Sequence, residues 1–421
     1  MFNQQKLNSI QPRSAALYAR AAAVIPGGIP GHQSPALSVP GVSPYFAERA
    51  EGAIYWDVDG RRLIDFMGGF GPLVLGARHM EVDAAFNEVQ MRGMCFNHPT
   101  ATTVELAERL VELVDFSDWA FFGKNGADMT YWTVRVAREH RQRRKVIKVK
   151  TAYHGTEPWC SDSLAGVLAE DKTHIIEIGW NDAEALEAVV AAHADDIAGI
   201  IMTPFDHPTY GDMTLPSEIF LARIDALRNE TGMVWVLDDV RAGFRHDLGG
   251  SHRYFGFTPD LSCFSKAIAN GYALSACVGG EALRPAASRV FATGSFWNNP
   301  GPMAAALKTL EILERDACIP TMLRRGSEWI ERFLALGEKN GIRFIASGTP
   351  TMPFIRIADD GNFHRQQAFC CEAIQAGVFL HPHHNWFIGN AHSDEVLDDS
   401  LKLVERAMKS FLDCTAQSTG E

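Results

Sequence analysis

Met233-Val-Trp-Val-Leu-Asp-Asp-Val240 and, a little further on, Asp260-Leu-Ser-Cys-Phe-Ser-Lys-Ala-Ile-Ala-Asn-Gly-Tyr272 decide how this chain is read. Each carries a short apolar run that stops at a charged residue: Asp238 in the first, and Lys266, 28 residues later, in the second. Short continuous apolar runs, without polar alternation, read as strands buried on both faces of a parallel sheet. A charged residue at such a point is an ordinary strand end. It is also the place where open α/β sheets put their functional groups, because ligands bind beyond the carboxyl ends of the strands.

The neighbouring sequence repeats this pattern. Val146–Val149, Ile175–Ile178, Ile197–Met202, Val234–Leu237, Leu261–Phe264 and Ala276–Val278 read as strands. Segments with helical spacing lie between them, at 104–113, 128–143, 183–193 and 216–229. This alternation predicts an α/β fold with a mainly parallel sheet flanked by helices. Before it, residues 53–66 read as two short strands around a turn at Asp59-Gly60, followed by a glycine-rich loop from Met67 to Gly76. After a long helix over Met303–Arg315, helices mix with short strands up to residue 421. The expected organisation is a large domain at 71–309 and a smaller α+β domain built from 1–70 and 310–421.

Composition narrows the function classes. A formal net charge of −12 argues against a nucleic-acid or anionic-membrane partner. No run approaches the ~20 apolar residues of a membrane span, and the first residues lack a signal core. The eight cysteines are scattered, with Cys370-Cys371 adjacent rather than in a zinc-type spacing. Free thiols in a reducing cytoplasm are the expectation.

A lysine and a carboxylate delivered from neighbouring strand ends suit pyridoxal 5'-phosphate (PLP), which takes a Schiff-base lysine and an acidic partner for its ring nitrogen. Other needs of this cofactor have candidates too. Phe122-Gly-Lys-Asn-Gly-Ala-Asp128 runs straight into a helical pattern, and a glycine-containing loop opening a helix presents free N–H groups to a phosphate. An ordinary helix start with Asp128 as first-turn acid would look the same. Tyr153 or His154, in the loop after the strand at 146–149, can supply an aromatic over the ring. Val240 shares the side of Asp238 and can pack on the opposite ring face. Lys266, once displaced by a substrate amine, can move a proton at the substrate carbon, which requires a depressed pKa.

In order and spacing these segments resemble the class III aminotransferases of PLP fold type I, in the branch that contains glutamate-1-semialdehyde aminomutase and its aminotransferase relatives. Pro26-Gly27-Gly28 is similar to the N-terminal loop of that branch, and Leu237-Asp-Asp-Val-Arg-Ala-Gly-Phe-Arg245 to its L-D-E-V-x-x-G-F-R. Tyr254-Phe-Gly-Phe-Thr-Pro-Asp-Leu261 resembles the lead-in to the Schiff-base lysine. Gly294-Ser-Phe-Trp-Asn-Asn-Pro300 is similar to G-T-x-x-x-N-P, and Ala391-His-Ser-Asp-Glu395 to A-H-T-x-E. The resemblance implies that Lys266 is the Schiff-base lysine, Asp238 the ring-nitrogen partner, and Val240 and Tyr153 the groups on the two ring faces. Asn125, Gly126 and Ala127 match the phosphate-loop triplet. Ser295 matches a threonine that reaches the phosphate of the neighbouring subunit's cofactor, which implies a homodimer.

Two departures bear on the substrate. The family's N-S-G-T-E is Lys124-Asn-Gly-Ala-Asp128 here, without the hydroxyl at 127, and its Glu-Pro is Thr203-Pro204, followed by an unfamiliar Phe205-Asp-His-Pro-Thr-Tyr210. His381-Pro-His-His384 has no third ligand at metal-binding spacing, so no metal is expected. Arg241 reads equally as a substrate carboxylate binder or a turn cap, and Trp297 and Trp386 as pocket walls or packing. The expected activity moves an amino group from an amine donor to a carbonyl acceptor, with an amino sugar or specialised metabolite as substrate. The alternatives are a 1,2-aminomutase of the glutamate-1-semialdehyde type and a racemase or epimerase on the same scaffold.

Overall fold

The computed structural model describes residues 4–418. Near the start of the chain, Ala47–Glu51 (β1), Ile54–Asp57 (β2) and Arg62–Asp65 (β3) form an antiparallel meander. The larger sheet follows with Trp119–Gly123 (β4), Lys145–Val149 (β5), Ile175–Ile178 (β6), Ile197–Met202 (β7), Val234–Asp238 (β8), Leu261–Phe264 (β9) and Ser275–Gly279 (β10). Its order is β4-β10-β9-β8-β7-β5-β6, with β10 antiparallel to both neighbours and the pairs from β9 to β6 parallel. The α/β class, with a mainly parallel sheet flanked by helices, is therefore as expected, and six of the strands lie where the apolar runs placed them. β4 was not anticipated. Its Trp-Ala-Phe-Phe-Gly run ahead of the 122–128 loop carried the signal.

The continuous apolar character of the strands follows from cover on both faces. On one side, Val146, Val234, Val236 and Cys263 pack in one cluster with Trp132, Val136 and Ala137 of the helix Gly126–Arg141. On the other, Ile147, Ile200, Met202 and Trp235 pack in a second cluster. Leu186 and Val190 of Ala183–His193 and Phe220, Ile224 and Leu227 of Glu218–Thr231 complete it. Val234 and Val236 thus face one layer and Trp235 the other, the period-2 alternation of a strand.

The chain separates into two compact units. The larger comprises 80–208 and 213–320, and the other comprises the segments up to His79, Thr209–Asp212 and from Thr321 onward. These divisions differ from the 70/71 and 309/310 boundaries read in the sequence. The helix Pro300–Arg315 buries its apolar face against Met80–Gln90 and Ala101–Leu113 of the larger unit, so the division falls after it. In the other unit, Phe344–Thr349 (β11) and Met352–Ile357 (β12) pair as a hairpin, and Val378–Phe379 (β13) adds in parallel to β3. One sheet, β1-β2-β3-β13, therefore joins segments from both ends of the chain. The helices Cys318–Lys339, His364–Ala376 and Asp394–Ser418 complete the C-terminal part.

Gly199 shows how tightly the central strands meet. A Cβ there would lie 2.3 Å from the carbonyl oxygen of Val234 on β8. Gly199→Ala is expected to cost about 1–3 kcal/mol through overpacking and backbone shift, read as a lowered denaturant midpoint. An unchanged midpoint would contradict this packing.

Candidate active site

Register brings the site together. In the parallel pairing of β8 and β9, Asp238 lies opposite Cys263, and Lys266 follows three residues later as the first residue of the short 3₁₀ turn Lys266–Ala269. Both groups therefore emerge at the carboxyl edge of adjacent strands. A pocket of about 370 Å³ opens there, lined by Asn125, Gly126, Ala127, Tyr153, Asp238, Val240 and Lys266, together with His154, His207 and Arg241. All the cofactor-binding candidates from the sequence except Ser295 line it. Ser295 is exposed on the 294–298 turn and is not among the lining residues.

The anion cradle is built at the start of the helix Gly126–Arg141. Asn125 is its N-cap, and Asp128 Oδ2 accepts the N–H groups of Asn125 (2.8 Å) and Lys124 (3.0 Å). That fixes the loop, while the amides of Gly126 and Ala127 precede the intrahelical ladder and present a positive end to the pocket. Gly126 is required sterically: a Cβ would come to 2.7 Å from Val240 Cγ1. The loop at 153–155 is fitted against the same turn. A Cβ on Gly155, whose φ is +126°, would lie 2.6 Å from the Ala127 methyl. Thr130 Oγ1 donates to the His154 carbonyl at 2.5 Å.

Asp238 is only 4% exposed, and both its oxygens are engaged. Oδ2 lies 2.7 Å from His154 Nδ1, and Oδ1 accepts the Val240 N–H at 3.1 Å. His154 is thus a carboxylate-orienting residue rather than a group at the pocket mouth. The sequence reading weighed it only as an aromatic over a ring. Tyr153 lies at the rim, 54% exposed. The neighbouring Asp239 points away from the pocket. Burial pushes its carboxyl up to about 7, and Oδ2 accepts the Ser251 N–H at 2.7 Å to hold the 247–251 turn.

Burial first, and then the Arg241 and Arg245 guanidinium groups, push the Lys266 amine from its ordinary 10.5 down to about 7, against the opposing pull of Asp238. A large neutral fraction is thereby present at neutral pH, as a nucleophilic or basic lysine requires. Arg241 itself falls to about 10 on burial, and its Nη1 donates to the His207 carbonyl at 3.2 Å. Thr203, at the position of the family's glutamate, lines the pocket but donates its hydroxyl to the Phe205 carbonyl at 2.9 Å.

Other residues singled out in the sequence lie elsewhere. Trp386 is fully buried beside Trp329, and Trp297 packs edge-on to Phe121. His381 Nδ1 accepts the His383 N–H, and the Nδ1 atoms of His383 and His384 lie within hydrogen-bond distance of carbonyl oxygens. Among the described residues, no group of three or more His, Cys, Asp or Glu side chains is arranged to hold a metal ion.

The residues present fit PLP. The cradle would take its phosphate, Asp238 its ring nitrogen and Lys266 its aldehyde carbon, with Val240 as an apolar wall. The charge balance around Lys266 yields a direct prediction. Arg241→Gln removes a cation and should raise the Lys266 pKa towards 10.5. The readout is the pH dependence of reductive methylation at Lys266 in the cofactor-free protein, with surface lysines as internal controls. A midpoint unmoved by the substitution would contradict the electrostatic account.

The sequence family described as Aminotransferase class-III matches residues 38–400. The aminopentol aminotransferase of Sphingopyxis macrogoltabida is 38% identical over 400 residues, covering 95% of this chain and 94% of its own length. The 3-aminobutyryl-CoA aminotransferase of Cloacimonas acidaminovorans is 34% identical, covering 94% of this chain and 96% of its own. Among solved structures, the FumI protein of Sphingopyxis sp. MTA144, in its PLP internal aldimine form, superposes with a TM-score of 0.94 at 38% identity. That match covers 96% of this chain and 98% of the other. With a family match across most of the chain and a site shaped for this cofactor, the chain belongs to the class III aminotransferases, enzymes of PLP fold type I.

Proposed function

We propose that this aminotransferase moves nitrogen between a hydroxyl-bearing amine of specialised metabolism and a separate carbonyl acceptor, with Lys266 and Asp238 as its catalytic pair. One observation carries the assignment of that pair. A buried carboxylate and an amine tuned to about 7 stand at the ends of adjacent strands in one pocket. When bound, PLP supplies a protonated ring that can accept the electrons of the substrate's Cα–H bond.

Each protein group then has a defined task. The helix start at Asn125-Gly126-Ala127 holds the phosphate by backbone N–H groups, and no hydroxyl at 127 is needed for that. Asp238 keeps the proton on the ring nitrogen, and His154, bonded to Oδ2, fixes the carboxylate's orientation. Val240 and Tyr153 flank the ring. Lys266 Nζ attaches the cofactor at rest. Once a substrate amine has displaced it, the same neutral nitrogen would take the proton from the substrate carbon and deliver it to the cofactor carbon on the far side of the reacting nitrogen.

The substrate class is supported by the name of the 38% identical relative, an aminopentol aminotransferase. The 34% identical relative is likewise named as an aminotransferase, which favours transfer over isomerisation. We infer a homodimer from the exposed placement of Ser295 and of Phe291 and Phe296 beside it, 77% and 55% exposed. The match of Ser295 to a residue that reaches across subunits in the family supports the same arrangement. Among the described residues no helix is long and apolar enough to cross a membrane. A reducing, cytoplasmic setting fits the free cysteines, most of them buried.

The test uses PLP-loaded protein, a panel of amino alcohols and a 2-oxo acid, with the new amino acid as readout. Nitrogen transfer that depends on the added acceptor is expected, and Asp238→Asn should lower kcat/KM by about 10² or more while leaving the fold intact. Isomerisation of an amine without any acceptor would contradict the reading. So would full activity in Asp238→Asn.

A further inference from the structure

The segment that departs most from the family pattern, Phe205-Asp-His-Pro, leads directly out of β7. It carries His207 into the pocket wall beside Arg241 and Lys266. The ring is 6% exposed and stands edge-on to Phe205, 5.5 Å between centroids. Its Nε2 is buried and has no hydrogen-bond partner in the protein. A buried polar atom left unpaired is costly, so such an atom in a ligand pocket calls for a partner from the ligand.

The state of the ring decides which partner fits. Burial, the Arg241 cation, and to a lesser degree Lys266 and His154, hold His207 well below its ordinary 6.5, so the imidazole is neutral at physiological pH. The proton of the neutral ring is assigned to Nδ1, towards the residue's own backbone carbonyl, because Nε2 has no acceptor in the protein. The same carbonyl accepts Arg241 Nη1 at 3.2 Å, which fixes the loop. In a neutral imidazole with its proton on Nδ1, Nε2 bears the lone pair and can only accept.

We propose that His207 is a specificity-determining residue whose Nε2 accepts a hydrogen bond from a hydroxyl group of the substrate, next to the carbon that carries the reacting amine. A carboxylate at this point would face a lone pair and gain nothing, whereas an O–H donor satisfies the buried acceptor. His154, the other pocket histidine with an unpartnered Nε2, is already tied through Nδ1 to Asp238 and serves the cofactor side. The inference rests on the aminotransferase reading above and narrows its substrate to amines with a neighbouring hydroxyl.

The test compares kcat/KM of the holoenzyme for 1-amino-2-propanol and 1-aminopropane, with one 2-oxo acid as acceptor. The wild type is expected to prefer the amino alcohol by at least about tenfold, because the amine lacking the hydroxyl leaves Nε2 unpaired. His207→Leu should bring the ratio to about one. His207→Gln, which keeps a side-chain acceptor, should retain most of the preference. A second readout needs no turnover: ring-nitrogen chemical shifts of ¹⁵N-histidine-labelled cofactor-free protein, with His207→Gln for assignment, should show an unprotonated Nε2 through neutral pH. Equal use of both amines by the wild type would overturn the proposal. So would a parallel loss on both amines in His207→Leu, or a proton on Nε2. Failure to transfer nitrogen from either amine would instead strike the functional reading, and the chemical shifts would still decide the state of His207.

Discussion

The parallel register of β8 and β9 is the constraint from which the rest of the site follows. It sets Asp238 against Cys263 and so delivers Lys266, three residues on, to the same edge of the sheet. A shift of one residue would turn Asp238 into the helix-covered layer and expose Asp239 to the pocket instead. The register is held by packing that tolerates little change: Gly199 has no room for a methyl against β8, and Trp235 is fully buried in the layer opposite Val234 and Val236. Stability of the sheet and geometry of the site are in this sense one property.

The electrostatics grow out of that placement. Desolvation pushes the Lys266 amine down, towards its neutral form. His154 and the Val240 amide occupy both oxygens of Asp238, while Arg241 and Arg245 reinforce the fall of Lys266. In the proposed mechanism the carboxylate must hold a proton on a ring nitrogen and the amine must be free to take one from carbon. The two opposed environments prepare those two roles before any ligand enters. Burial first, and then the Arg241 cation, hold His207 well below its ordinary value, so the group proposed to select substrate shares that field.

Much of this was legible in the sequence, because buried parallel strands announce themselves as unbroken apolar runs and end on the residues that matter. Asp238, Lys266, Val240 and the 125–127 turn could be named from such endings and from a glycine loop entering a helix. β4 was overlooked because its short apolar run ends on Phe122-Gly123, which reads as the opening of that loop. The bond between His154 and Asp238 joins residues 84 apart in sequence, and no local pattern encodes it. His207 was visible only as part of a segment that departs from the family. Its significance lies in the burial of one nitrogen and the partner of the other, which are properties of the folded wall alone. The second domain division lies later than 309/310 for a similar reason, since the helix Pro300–Arg315 is claimed by the helices it packs against rather than by its place in the chain order.

The central claim is that the chain's attachment point for its cofactor is the tuned amine at the end of β9. Borohydride reduction of the PLP-loaded protein, followed by peptide mapping, tests it most directly. The account predicts one pyridoxyl group per chain, located on Lys266, and no covalent label in Lys266→Ala. A label on another lysine, or full labelling of Lys266→Ala, would contradict it.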